Sequence, residues 1–316
     1  MAIKNKLVTG ANFRDFDWNK AKLFYHIAKC GSFLKAAQVA GIDQSVLTRQ
    51  MQILEMQVGY PLLIRKAGGT TLTRKGEELL AEVTPFFLKM KGFCGNHYVE
   101  VAGQKKRKIR VATTQAWVAH VIGDIILDYA NENPHLSFEL IGDDYSIDII
   151  LNDVDIAIQP LDPRSIEKKM EGVECEYLIS LEKKLYASDD YINTYGEPQT
   201  AEDLVNHHII SFAQPEADPY YKDINWILTL GMPEGKLHAP VYVSNSIDNL
   251  IRAAEKGIGI VGSYDNYKII KESNLKNILP DIKDKPLNEY FVYPDYLKDD
   301  EVIMDIKNYL KEKLDV

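Results

Sequence analysis

Cysteine is scarce in this chain, and long apolar runs are absent. Three cysteines in 316 residues, Cys30, Cys94 and Cys175, lie too far apart for a CxxC metal or redox motif. Their number also excludes a disulfide-built scaffold, so they read as packing residues of a reduced cytosolic protein. The uninterrupted apolar segments are a handful of residues, such as Leu62-Leu63-Ile64, too short for a helix to span a bilayer. The stretch from Met1 to Thr9 lacks an apolar region followed by a small-residue cleavage site, so no export signal is expected and the expected location is the cytoplasm. What is present is globular in kind: 46% hydrophobic and 26% charged residues, in a length that suits two or three domains with sizeable cores.

Charge is distributed unevenly. The formal net charge is −9, yet residues 1–110 carry +11 and the remainder −20. A basic first third joined to an acidic remainder points to contact with a polyanion at one end and a different task at the other.

The basic third has a readable order. From Trp18 to Cys30 the apolar residues Trp18, Ala21, Leu23, Phe24, Ile27 and Ala28 follow the rows of an amphipathic helix. Gly31 is placed to end it, and Ser32 to cap a short, alanine-rich second helix from Phe33 to Ala40. Gly41 supplies a tight turn, Ile42 plugs the angle between the helices, and Asp43 is expected to cap a third helix from Gln44 to Val58. The expected buried face of that helix is Val46, Leu47, Met51, Leu54 and Val58; Gln44, Ser45, Thr48, Arg49 and Gln52 form its polar face. Two short helices around a Gly-containing turn are the helix-turn-helix pattern. Amide and guanidinium groups at the start of the third helix suit base edges in a major groove, and its first-turn amides suit a phosphate.

A basic hairpin follows. Pro61 to Thr73 reads as two short strands around Ala67-Gly68-Gly69, with Arg65 and Lys66 at the tip, where they reach phosphate or a minor groove. Thr73 then caps a further helix whose stripe of Leu79, Leu80, Val83, Phe86, Phe87, Met90 and Phe93 suits a partner helix, interrupted by Pro85.

Phe24 to Leu80 resembles the N-terminal domain of the LysR-type bacterial transcriptional regulators. The residues that carry the resemblance are Gly31-Ser32-Phe33, Ala36-Ala37, the helix from Gln44 to Gln50, Pro61 to Arg65, and Leu72-Thr73-Arg74-Lys75-Gly76. The resemblance implies a winged helix-turn-helix with base-edge or phosphate contacts at Gln44, Ser45, Thr48 and Arg49, and with Arg65 on the wing. It implies a linker helix that pairs two subunits through Leu79, Val83, Phe86, Phe87 and Met90. Ser45 stands where the family often has Pro, Asp43 where it often has Ser, and Leu34 where a small hydroxyl is common. The chain also begins about 15 residues earlier than is usual for the family, a difference that rests on the resemblance alone.

The acidic part reads as α/β. Lys105 to Lys108 is expected to be a charged hinge, followed by a strand at Ile109–Thr113, a helix from Thr114-Gln115 to Asn131, a strand at 136–141, a short helix at Ile147–Asn152 and a strand at 154–158. The rhythm restarts with strands at 184–187, 208–212 and 241–243, a helix opened by Ser244-Asn245-Ser246, and a last strand entered through Gly257 to Gly262. Ligands in such sheets bind beyond the carboxyl ends of the strands, which puts Thr113, Thr114 and Gln115 at a helix start suited to a carboxylate. Two α/β lobes around a cleft resemble the effector domain of the same family, itself built like periplasmic binding proteins. The resemblance implies effector contacts at Thr113, Thr114, Gln115, Gln159, Ser211, Ser244, Asn245 and Ser246.

The expected organisation is an extension at 1–17, a winged helix-turn-helix at 18–73, a linker helix and hinge at 74–107, and an α/β effector domain at 108–316. Its first lobe takes 108–159 and 265–316, and its second takes 160–264. The expected function is a one-component regulator of transcription. Its partners are double-stranded operator DNA, a small-molecule effector with a carboxylate as the class considered, and a second copy in a homodimer or homotetramer. RNA polymerase is a further candidate, and no membrane is expected. The alternative is a winged helix fused to a biotin-ligase-like enzyme, which needs a Gly-Arg-rich loop and a lysine strand that are not found. A solute-binding protein would need an export signal. Gly257, Gly259 and Gly262 form a GxGxxG with a helix before it and a strand after it, the reverse of a dinucleotide site. His207-His208 lacks further ligands at metal spacing, and Cys94 with Cys175 is a candidate redox pair. No nucleophile, base and orienting group stand together, so no enzyme, cofactor or metal is expected.

Overall fold

The computed structural model describes residues 16–66, 68–94, 97–144, 147–161, 172–213, 224–282 and 285–316. The extension up to residue 15 and Ala67 at the hairpin tip lie outside the described residues. The chain divides near residue 95 into two compact units.

The first unit opens with α1 (Trp18–Cys30), α2 (Phe33–Ala40) and α3 (Gln44–Val58). Gly31 and Gly41 end α1 and α2 in the left-handed region, and Ser32 Oγ accepts from the Lys35 amide. The core is Phe24, Ile27, Phe33, Ala36, Ala37, Leu47, Met51, Leu54 and Leu62, with Ile42 packed at its edge. Two expectations for α3 are corrected. Asp43 sits at the N-cap, but its carboxylate makes no capping bond. Val46 is 44% exposed, because at about 100° per residue it lies one step off the Leu47–Met51–Leu54 stripe.

The hairpin is β1 (Leu63–Lys66) paired antiparallel with β2 (Gly69–Leu72). It is tied to the helices at two places. Glu55 Oε1 accepts from the amides of Leu62 and Leu63, and the Thr70 amide donates to the Gly31 carbonyl at 2.7 Å. A Cβ on Gly69 would stand 2.8 Å from that same carbonyl oxygen. In α4 (Arg74–Cys94), Thr73 Oγ1 accepts from the Gly76 amide, and a Cβ on Gly76 would lie 2.2 Å from the Leu62 carbonyl oxygen. The Leu-Thr-x-x-Gly pattern is therefore a steric requirement for seating α4 against the hairpin. Pro85 lies inside α4 without ending it.

The second unit holds two sheets. In the first, β4 (Gln104–Thr113) pairs with β3 (Tyr98–Val101) antiparallel and with β5 (Leu136–Gly142) and β6 (Ile156–Pro160) parallel; β13 (Leu287–Pro294) lies antiparallel between β6 and β7 (Val173–Leu181). The second has the order β10 (Tyr242–Ser244), β9 (Ile209–Phe212), β11 (Ile260–Tyr264), β8 (Lys183–Ala187), β12 (Lys276–Ile278). Between β4 and β5 run α5 (Gln115–Trp117), a π turn at Val118–Ile122 and α6 (Gly123–Glu132). Among the described residues the remaining α-helices are α7 (Asp189–Tyr195), α8 (Ile247–Glu255), α9 (Lys268–Glu272) and α10 (Glu301–Lys313). No helix among the described residues is long and apolar enough to cross a membrane.

Four expectations for this unit are corrected. Lys105–Lys108 is strand, not hinge: Ala102 and Gly103 adopt positive φ in a two-residue turn that folds β3 onto β4, setting Lys105 opposite Glu100 and Arg107 opposite Tyr98. The segment expected as a helix at 147–152 forms turns, because the buried Gln159 amide takes both the N–H and the carbonyl of Ile147. The strand entered through Gly257 to Gly262 is β11 and is not the last, since β12 and β13 follow it. The lobe limits also shift. The chain passes from the first sheet to the second at Glu182, between β7 and β8, and returns within 279–286, not at 160 and 264.

Candidate functional site

The exposed face of α3 presents Gln44, Ser45, Arg49 and Gln52, with Thr48 half-buried. Since Asp43 does not cap α3, the first-turn amides are not taken by that carboxylate. The hairpin reaches this face through one side chain. The Arg65 guanidinium stacks over the Phe33 ring at 4.0 Å, and its Nη2 donates to Thr48 Oγ1 at 3.4 Å. Lys66 is exposed at the last pair of the hairpin, opposite Gly69. The side chains expected to contact a polyanion thus share one surface, and Phe33 with Glu55 hold it in place, two roles that residue patterning did not reveal.

The α4 stripe is partly used within the unit. Val83 is buried with Ala21 and Tyr25, Phe86 stacks on Trp18 with centroids 4.1 Å apart, and Phe87 meets Tyr25 edge-on. Leu79 is half-buried, and Met90 is 43% exposed.

In the second unit a cavity of about 60 Å³ lies where α5, β6, β9, β11 and β13 converge. Of the residues expected at the effector site, Thr114 and Ser211 line it. The others do not. Thr113 is fully buried, with its Oγ1 unpartnered. The Gln115 amide already donates to Asp144 Oδ1 at 3.1 Å, and Gln159 is bonded to Ile147. Ser246 caps α8, and Ser244 Oγ accepts from the Ser246 amide, so Ser244-Asn245-Ser246 is a helix-start motif beside the cavity wall.

The wall is largely aromatic and aliphatic, with Trp117, Phe212, Trp226, Tyr264 and Tyr267 contributing rings. Gly262 lies against the Trp226 indole, where a Cβ would approach Nε1 to 3.1 Å. The carboxyl groups of the wall are Asp144 and Glu289, and no Lys, Arg or His is among the described lining residues. Glu289 is 1% exposed, its Oε2 has no hydrogen-bond partner, and burial pushes its carboxyl up to about 8. Burial also raises the Asp144 carboxyl, against the lowering effect of the Gln115 amide. Trp117 Nε1 and Ser263 Oγ are likewise buried without partners. Glu289 had a sequence signal: it falls at an inward position of the alternation Leu287, Glu289, Phe291, in a strand that is otherwise apolar on that side. Among the described residues no group of three or more His, Cys, Asp or Glu is placed to hold a metal ion.

Residues 18–77 match the family profile of the bacterial regulatory helix-turn-helix proteins of the lysR family, and residues 102–262 match the LysR substrate binding domain. The second match occupies the region that a biotin-ligase-like enzyme would need. The HTH-type transcriptional regulator CrgA of Neisseria meningitidis serogroup C is 25% identical over 193 residues, 61% of this chain and 62% of that protein, so the match spans less than two thirds of CrgA. The HTH-type transcriptional activator TtdR of Escherichia coli is 23% identical over 275 residues, 84% of each chain. The structure of CrgA aligns with a TM-score of 0.51 at 20% identity, covering 93% of this chain and 98% of that one. Full-length AphB, a Vibrio cholerae virulence activator, aligns with a TM-score of 0.51 at 17% identity over the same shares. At these identities the structures share the fold. With one profile on the winged helices and another over half the chain, this protein belongs to the LysR-type transcriptional regulators.

Proposed function

We propose that this chain is a one-component transcriptional regulator of the cytoplasm. The first unit reads double-stranded operator DNA with α3 in the major groove, through Gln44, Ser45, Thr48, Arg49 and Gln52. Arg65 and Lys66 of the wing hold the flanking backbone. The observation that carries this reading is the Arg65 guanidinium, fixed between Phe33 and Thr48 at the border of the polar face of α3. A cation fixed in this way positions the phosphate backbone, while the amide and guanidinium groups of α3 discriminate bases.

The cavity of the second unit holds a small-molecule effector. Its binding changes transcription through differential affinity for two arrangements of a homodimer or homotetramer, built on the α4 stripe, and RNA polymerase is the partner that reads the change. The carboxylate class expected at Thr113 to Gln115 is disfavoured, because Asp144 already takes the Gln115 amide and the described wall offers no cation.

Fluorescence anisotropy on duplex DNA from the chain's own upstream region, against a scrambled duplex at several salt concentrations, tests the reading. The expected result is tight, salt-dependent binding to the upstream duplex, with selectivity lost in Arg49→Ala. Weak and equal binding of both duplexes, unchanged by Arg49→Ala, would overturn it.

A further inference from the structure

We infer that the cavity ligand is an organic ammonium ion, with its apolar body among Trp117, Trp226 and Tyr264 and its N–H group donated to Glu289. The inference rests on the reading of the cavity as the effector site and names the class of effector. Four observations support it. Glu289 is an almost fully buried carboxyl in the cavity wall with an oxygen that has no partner, an arrangement that is unfavourable unless something donates to it. Asp144 adds a second carboxyl to the same wall, and no Lys, Arg or His among the described lining residues would neutralise either or attract an anion. The rings of Trp117, Phe212, Trp226, Tyr264 and Tyr267 offer π faces, which favour a desolvated cation over an anion. Finally, the register of β13 against β7 breaks between Glu289 and Tyr290, the kind of irregularity that re-aims a side chain beside a site.

The protonation chemistry is consistent with this assignment. With its carboxyl pushed up to about 8, Glu289 carries a proton in the empty protein at neutral pH. An ammonium group keeps its own protons and favours the ionised carboxylate, so the Glu289 proton leaves to the buffer on binding. The other titratable groups in the described wall are Asp144, Tyr264 and Tyr267. Ser263 Oγ and Trp117 Nε1 are further buried polar atoms of wall residues that lack partners.

The test uses the full chain and three probes of nearly equal shape: benzylamine, benzyl alcohol and benzoate. Binding is read by calorimetry and by the fluorescence of Trp117 and Trp226. Benzylamine is expected to bind most tightly and benzoate least. Glu289→Gln, which keeps the side-chain shape, should weaken benzylamine about ten- to a hundredfold while leaving benzyl alcohol nearly unchanged. In the unmutated protein, calorimetry in two buffers of different ionisation enthalpy should report about one proton released with benzylamine and none with benzyl alcohol. Benzoate binding more tightly than benzylamine, equal loss of both probes in Glu289→Gln, or no binding of any probe at millimolar concentration would overturn the inference. Benzylamine binding as expected without any change in operator affinity would uphold the ligand class and overturn instead the reading of the cavity as an effector site.

Discussion

Arg107 and Asp300 meet in a two-point ion pair, Nη1 to Oδ1 at 2.9 Å and Nη2 to Oδ2 at 2.8 Å, across 193 residues of sequence. Asp300 also caps α10, accepting from the amides of Val302 and Ile303. One carboxylate thus fastens the start of the last helix to β4, a strand that itself pairs with β3, β5 and β6. The side chains are 14% and 17% exposed, so solvent screens the pair only in part. Asp300→Asn keeps an oxygen for the cap but loses the charge, and Arg107→Lys keeps the charge but loses the fork. Each should lower the stability of the second unit by about 1–3 kcal/mol in urea unfolding.

Gly76→Ala should destabilise the first unit. The added methyl meets the Leu62 carbonyl oxygen, a backbone atom that cannot rotate away, so α4 must shift from the hairpin. A loss of about 1–3 kcal/mol is expected, the range for overpacking, read as a lowered Tm.

Under the proposed phosphate contact, Arg65→Ala should weaken operator and scrambled duplexes alike and reduce the salt slope by about one ion. Phe33→Leu removes the ring under Arg65 and should act in the same direction while Arg65 is still present.

Val83 and Met90, placed together by sequence spacing, should separate in experiment. Val83→Ala should destabilise the first unit by about 1–3 kcal/mol, since Val83 is buried with Ala21 and Tyr25. Met90→Glu should leave the thermal unfolding of that unit unchanged and weaken self-association in light scattering. An unchanged oligomer would remove Met90 from the interface.

The pH dependence of stability follows from Glu289. Its carboxyl titrates near 8 in the folded chain and near the ordinary carboxylate value of about 4.3 when unfolded. Between those values the unfolded state has lost the proton and the folded state keeps it, so stability falls as pH rises through this window and levels off above it. Glu289→Gln should match the parent near pH 4 and exceed it by a few kcal/mol near pH 8, with Asp144 leaving a smaller slope of the same sign.

The helices of the first unit were legible because their information is local. Gly31, Ser32 and Gly41 set the ends of α1 and α2 by backbone conformation and capping, and Leu47, Met51 and Leu54 mark a stripe that only one helical face can bury. The same holds for the hairpin, where Gly69 at positive φ closes the turn. Where local cues were weak the reading failed. The run Lys105–Lys108 is polar enough for a linker, yet pairing with β3 and the Asp300 contact make it strand, and both depend on distant partners. The strands β7 and β13 pair with each other across more than a hundred residues, and that pairing moved the lobe limits.

The cavity divides in the same way. Sequence position alone put Thr114 at a helix start and Ser211 in a strand, and both line the wall. The buried Gln159 side-chain amide is taken by Ile147 and the Gln115 backbone N–H by Asp144, because a polar group bonds to whatever the fold sets within reach. Thus the sequence by itself determined the winged helices, their polar face and the family. Only the tertiary structure decided which polar groups remain unpaired around the cavity, since that follows from the packing of elements far apart in sequence. Burial and the lack of a partner, rather than residue type, set Glu289 apart.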